Sequence, residues 1–170
     1  MAKKGPKLLV LGGIKSGKSR LALRLAEKFP PPRLFIATAE AFDKEMAAKI
    51  RAHQKERGQN WLTIEAPVDL PLTLKNLQGN VCLIDCLTVW LGNLWYYRKN
   101  LNFYIENFLE VFKKLEIPVV VVSNEIGLGP LPGEKESRKF AEKLGLLNQK
   151  VAFLCDEIYL VMAGYPLKLK

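Results

Sequence analysis

The chain predicts a single α/β domain built on a mostly parallel sheet with helices on both faces. Three observations point there. Apolar β-type runs recur at Lys7–Gly12, Arg33–Ala37, Asn80–Asp85, Pro118–Ser123 and Glu157–Ala163, with helical periodicity between most of them. Runs such as Val119-Val120-Val121-Val122 are apolar on both faces, as strands covered from above and below must be. A glycine-rich run, Gly12-Gly13-Ile14-Lys15-Ser16-Gly17-Lys18-Ser19, lies directly behind the first of these strands and opens the first helix.

That run is a phosphate-binding loop. Its glycines let successive backbone N–H groups point at a β-phosphate, and the helix that follows adds the positive end of its dipole. Lys18 is placed to reach the β/γ oxygens and the Ser19 hydroxyl to ligate Mg²⁺. The expected fold is therefore one P-loop NTPase domain of the RecA-like kind. The first helix is expected to run to about Phe29, where Pro30-Pro31-Pro32 stops it for want of amide donors. Val81-Cys82-Leu83-Ile84-Asp85 reads as an apolar strand neighbouring the loop's own strand and ending in a carboxylate. Asp85 there either holds Mg²⁺ through water or caps the next helix. The segment Pro166–Lys170 alternates apolar and basic residues and reads as an antiparallel edge strand, hairpin-paired to Glu157–Ala163 through Gly164.

At 170 residues the chain suits one well-cored domain, assigned to residues 8–170 behind a basic, disordered tail of residues 1–7. The 49% hydrophobic and 25% charged composition is that of a globular protein. A net charge of +9 suits polyanionic ligands such as nucleotides. The cations are spread over helical faces instead of forming a stripe with interleaved aromatics, so a nucleic-acid-binding ATPase is disfavoured. Cys82, Cys86 and Cys155 lie in apolar runs without CxxC spacing, which argues against a disulfide framework or a zinc site and fits a reducing cytoplasm. No secretory signal is apparent, and the apolar stretch Val81–Tyr97 is interrupted by Asp85, Gly92 and Asn93. It reads as a buried strand running into a helix, not as a stable membrane insertion.

Phe42, Met46 and Ile50 fall four apart on a helix beginning near Thr38 to Glu40, and His53, the only histidine, follows on the same face. Lys49 and Arg57 flank it at four residues to either side. Cations disfavour imidazolium, and a neutral imidazole has a lone pair able to attack phosphorus. From spacing alone, a packed histidine and a nucleophile are both open readings.

These residues resemble the bifunctional adenosylcobinamide kinase/adenosylcobinamide-phosphate guanylyltransferase family. The resemblance runs nearly end to end. It covers Gly12–Ser19, Ile36-Ala37-Thr38-Ala39, Asp43–Ile50 leading to His53 and Arg57, and Trp61–Glu65. It continues through Asp85–Trp90 with Asn93-Leu94, then Val122–Gly129, Arg138, Phe140, Gly145, Asn148-Gln149 and Val161–Lys168. Gly58 stands where many members have proline, and Ala52 where some have a second histidine.

The resemblance implies two reactions. The first is phosphorylation of the hydroxyl on adenosylcobinamide's aminopropanol arm. The second is transfer of GMP from GTP to the resulting phosphate, through a guanylylated histidine at the position of His53. It also implies ATP and GTP as substrates with Mg²⁺, nucleotide contacts by Arg57 and Glu65, and a trimeric homo-oligomer. Glu125 is a candidate to orient the acceptor hydroxyl, with a helix cap or loop contact as the alternative. Asn124, Arg138, Asn148 and Gln149 are candidates for phosphate or substrate amides. Trp90, Trp95, Tyr96 and Tyr97 offer either a platform for a flat ring or core and subunit packing. The rival reading is a small-molecule kinase with a P-loop and no covalent intermediate.

Overall fold

A computed structural model describes residues 4–41, 47 and 57–170. The strands are β1 (Lys7–Gly12), β2 (Arg33–Ala37), β3 (Trp61–Glu65), β4 (Val81–Asp85), β5 (Val119–Asn124), β6 (Glu157–Met162) and β7 (Tyr165–Lys168). The helices among the described residues are α1 (Lys18–Ala26), α2 (Leu70–Lys75), α3 (Leu87–Tyr96), α4 (Leu101–Lys114) and α5 (Lys135–Leu154). The strands form a seven-stranded sheet in the order β3-β2-β4-β5-β1-β6-β7. Every pairing is parallel except the β6–β7 hairpin at the edge. This is the P-loop, RecA-like architecture expected from the sequence.

Alternation along the strands splits the core into two layers. Leu8 and Val10 of β1 face α1 together with Phe35, Val120 and Val122, whereas Leu9 and Leu11 face the opposite layer. That second layer is larger and holds Trp90, Phe108, Phe112, Leu144 and Leu147 from α3, α4 and α5. Trp90 is 0% exposed, lies 5.3 Å from the Phe108 ring centre and donates its indole N–H to Val68 O at 2.8 Å. Of the two readings of that aromatic, core packing holds. Helix α4 is capped by Asn100, whose side chain accepts the Phe103 N–H, and it ends in Lys113 and Lys114. No helix among the described residues is long and apolar enough to cross a membrane.

Several expectations change. Asp85 does not neighbour the phosphate-loop strand, because β5 pairs with both β1 and β4 and separates them. The tail ends sooner than residue 7: Lys7 is the first residue of β1 and only 6% exposed. Its amide donates to Asp156 Oδ2 at 2.7 Å and its ammonium to Leu115 O at 3.0 Å. Burial holds that ammonium below the usual lysine range, partly countered by Asp156. Gly5 is already docked, its N–H donating to Glu116 O. Helix α1 ends at Ala26, short of Phe29, because Arg33 donates to the main-chain oxygens of Glu27 and Phe29 and holds a turn there. Strand β3 was not foreseen among the β-type runs. The helix expected across Phe42, Met46, Lys49, Ile50 and His53 lies outside the described residues.

Candidate nucleotide-binding site

The loop between β1 and α1 bends where its sequence permits. Lys15 and Gly17 both take positive φ, 57° and 96°, and the alternation of hand gathers backbone N–H groups into an anion-binding concavity. Lys18 curls over this loop and donates to Gly13 O at 3.1 Å. Ser16 is buried, and its Oγ has no hydrogen-bond partner among the described residues. A donor held in that position suits an anionic oxygen. The turn of the terminal hairpin closes the far side: Ala163 and Gly164 both have positive φ, and Gly164 N–H donates to Ser16 O at 2.8 Å.

Two cavities meet at this loop. The first, about 630 Å³, is lined by Lys15–Arg20 and by the hairpin turn. The second, about 290 Å³, is lined by Ser19, Leu23 and Glu27 from α1 and brings Ser19 together with Asp85 and Arg57. Ser19 belongs to both. The Arg57 guanidinium stacks 3.5 Å from the Phe35 ring centre and donates to Thr63 Oγ1 at 3.2 Å. A hydroxyl and a carboxylate in one cavity are the hard oxygen donors that Mg²⁺ takes, so Ser19 and Asp85 fit the ion.

Cys86 also lines the second cavity, but burial first, and then the Asp85 charge, push its thiol up to about 11. It is protonated at neutral pH and a poor nucleophile. Burial similarly raises Cys155 to about 12, and Cys82 higher still.

The remaining candidates divide. Glu125 follows β5 and its N–H donates to Gly12 O at 3.1 Å, but its carboxylate accepts the Gly127 N–H at 2.8 Å and closes a turn in its own loop. Glu65 is exposed at the end of β3, in register with Ala37, and is not among the residues lining either cavity. Asn148 is turned inward, accepting from Ser123 Oγ at 2.7 Å and donating to Asn124 O at 3.0 Å, which commits it to the fold. Arg138 holds the main-chain oxygens of Pro132 and Gly133. Gln149 is exposed on α5. Trp95 packs edge-on against Phe140, while Tyr96 and Tyr97 are exposed and Tyr97 donates to Glu40 Oε2 at 2.6 Å. His53 lies outside the described residues.

The ends of β2 and β4 are locked together behind the site. Thr38, fully buried, uses its hydroxyl both to accept the Cys86 N–H and to donate to Cys86 O, each at 2.8 Å. Asn93 donates to Thr38 O at 2.8 Å and Pro67 O at 3.0 Å from beneath. Sequence reasoning missed Leu23, Glu27 and Phe35 of the second cavity and Arg20 of the first. The spacing of Ser19, Leu23 and Glu27, four residues apart on one helix, was the available signal.

Comparison with known proteins adds the following. A family model described as cobinamide kinase / cobinamide phosphate guanyltransferase matches residues 8–169. The bifunctional adenosylcobalamin biosynthesis protein CobP of Pseudomonas aeruginosa is 40% identical over 166 residues, covering 95% of this chain and 96% of that protein. The bifunctional adenosylcobalamin biosynthesis protein CobU of Salmonella typhimurium is 32% identical over 180 residues, covering 96% and 99%. Among solved structures, flagellar accessory protein FlaH from Methanocaldococcus jannaschii superposes with a TM-score of 0.55 at 13% identity, covering 99% of this chain and 79% of that one. That likeness concerns the fold alone.

Proposed function

We propose that this chain, which belongs to the cobinamide kinase / cobinamide phosphate guanyltransferase family, transfers GMP from GTP to cobinamide phosphate through a covalent bond to His53. It is an enzyme of both phosphoryl and guanylyl transfer, and nucleotides are its substrates. The observation that carries the covalent step is the place of Arg57. Its side chain lines the cavity shared with Ser19 and Asp85, and His53 precedes it by four residues. Four residues span at most about 14 Å of backbone when fully extended, and so short a link to Arg57 supports a role for His53 at a nucleotide bound there. Cys86 offers no competing nucleophile there, being a thiol at neutral pH.

In the transfer, a neutral His53 nitrogen attacks the α-phosphorus, an N–P bond forms, and the bond to the β-phosphate oxygen breaks with its electron pair leaving on pyrophosphate. The loop amides, the Ser16 hydroxyl and Lys18 hold the departing charge. Mg²⁺, held by Ser19 and Asp85, would neutralise phosphate oxygens when bound. Arg57 contacts the nucleotide from the wall of the cavity that it shares with Ser19 and Asp85. An oxygen of cobinamide phosphate then attacks the same phosphorus, and the N–P electron pair returns to the imidazole. In the kinase reaction the acceptor oxygen bonds to the γ-phosphorus, the bond to the β-phosphate oxygen breaks with its electron pair leaving on the nucleoside diphosphate, the hydroxyl proton passes to solvent, and positioning with charge neutralisation suffices. Glu125 serves that step only if its bond to Gly127 opens.

Incubation with GTP labelled at the α-phosphate tests the covalent step. Label is expected on the protein, stable in alkali and lost in acid, and absent from His53→Ala while kinase activity persists. Labelling undiminished in His53→Ala would put the covalent bond on another residue and sinks the reading, and absence of label from the parent protein leaves a kinase without covalent intermediate. A homo-trimer belongs to the same proposal. Light scattering is expected to give three times the 19.2 kDa chain mass, and a monomer in solution would overturn it.

A further inference from the structure

We propose that the cavity along α1 receives the purine of the nucleotide and that Glu27 reads the guanine edge. The inference rests on the guanylyl-transfer reading and adds the residue that selects the base. Ser19, Leu23 and Glu27 all line this cavity, and their four-residue spacing sets them in one stripe along the helix. Eight residues of helix rise about 12 Å. That is comparable with an extended nucleotide from its β-phosphate to the far edge of its base.

The chemistry changes along the stripe in the order that a nucleotide requires. A hydroxyl stands at the phosphate end, an isobutyl group in the middle and a carboxylate at the far end. The facing wall supplies Phe35 with the Arg57 guanidinium stacked on it at 3.5 Å. A flat guanidinium backed by an aromatic ring is a surface on which a purine stacks. Guanine presents two donors on one edge, N1–H and the exocyclic N2 amine, and a carboxylate presents two acceptor oxygens in matching positions. Adenine offers a lone pair at N1 and is repelled. Arg33 secures the turn after α1 through the main-chain oxygens of Glu27 and Phe29, not through the Glu27 carboxylate. Glu27 is exposed and within the cavity lining, so its side chain is available to a ligand.

Equilibrium binding by the full chain, in a His53→Ala background that leaves GTP intact, tests the assignment. GTP is compared with ITP, which lacks the N2 amine, and with inorganic pyrophosphate as a probe of the phosphate loop alone. With Glu27 present, GTP is expected to bind about tenfold or more tighter than ITP. In Glu27→Ala that ratio should fall to within about twofold of unity, with Glu27→Gln intermediate and pyrophosphate binding unchanged. A GTP-to-ITP ratio of unity in the parent, or one that survives Glu27→Ala, overturns the inference. Parallel loss of pyrophosphate binding also overturns it, because the effect would then lie at the loop. So does an unchanged nucleotide affinity with a raised KM for the cobinamide acceptor, which would give the cavity to the acceptor arm. The labelling of His53 is read separately and can succeed whichever way this result falls.

Discussion

A Gly12→Val protein is expected to retain its sheet and lose nucleotide binding, with both transfer activities reduced by at least about 10³-fold. A Cβ on residue 12 would stand 2.4 Å from Ser16 Oγ and 2.8 Å from Val161 O. A rotamer change could relieve a contact with an exposed serine, but Ser16 is buried beneath the loop and Val161 O belongs to the backbone of β6. Gly12 lies in register with Asn124 on one side and Val161 on the other, so neither neighbouring strand can yield without breaking its ladder. The loop must lift instead. Displacement of a binding group by about 1 Å costs on the order of 100-fold, and here several N–H donors move together. Overpacking adds a stability loss of roughly 1–3 kcal/mol. Calorimetric titration with GTP and a thermal melt separate the two effects. Wild-type affinity in a folded Gly12→Val protein would show that the loop does not carry the phosphates.

The largest stability loss is expected from Trp90→Ala, about 3–5 kcal/mol. The indole is fully buried between the sheet and α4, touches the Phe108 ring and bonds Val68 O. Truncation leaves a cavity among side chains that cannot collapse into it, and strips the donor from a main-chain oxygen. For a chain of this size the melting temperature should fall by roughly 6–20 °C, since each kcal/mol is worth about 2–4 °C. Urea titration should show a lower midpoint at unchanged slope. A loss below about 1 kcal/mol would mean that the layer repacks, contrary to the tight ring contacts seen there.

The strands most easily read in the sequence are those buried on both faces. Val119–Val122 and Leu8–Leu11 carry unbroken apolar runs because helices cover both sides of them, and the structure places both at the centre of the sheet. Strand β3 escaped the same reasoning. It is an edge strand, with Leu62 54% exposed and Glu65 exposed, and its Trp-Leu-Thr-Ile-Glu run has neither clean alternation nor a continuous apolar stretch. Strand order was beyond reach for a different reason. Whether β5 lies between β1 and β4 depends on pairings between residues more than thirty positions apart, and no local pattern encodes them.

The phosphate loop was legible because its chemistry is contiguous along the chain. The second cavity was not, because its walls come from α1, β2, β4 and the segment ending at Arg57. Asn148 shows the opposite error. A polar residue in a matched segment suggested a ligand contact, and its amide is spent on Ser123 and Asn124.

The central place of β1 also bears on synthesis at the ribosome. Its neighbours in the finished sheet, β5 and β6, begin at Val119 and Glu157, so the first strand made is flanked by two of the last. At about 5–20 residues per second the nascent chain waits roughly 5–20 s after Gly12 before the first of these partners is polymerised. Throughout that interval Leu8–Leu11 is a sticky apolar ribbon with both edges open. A cell making this protein quickly must therefore shield its amino-terminal end, by chaperones or by modest expression, until the carboxyl-terminal third arrives to close the sheet around it.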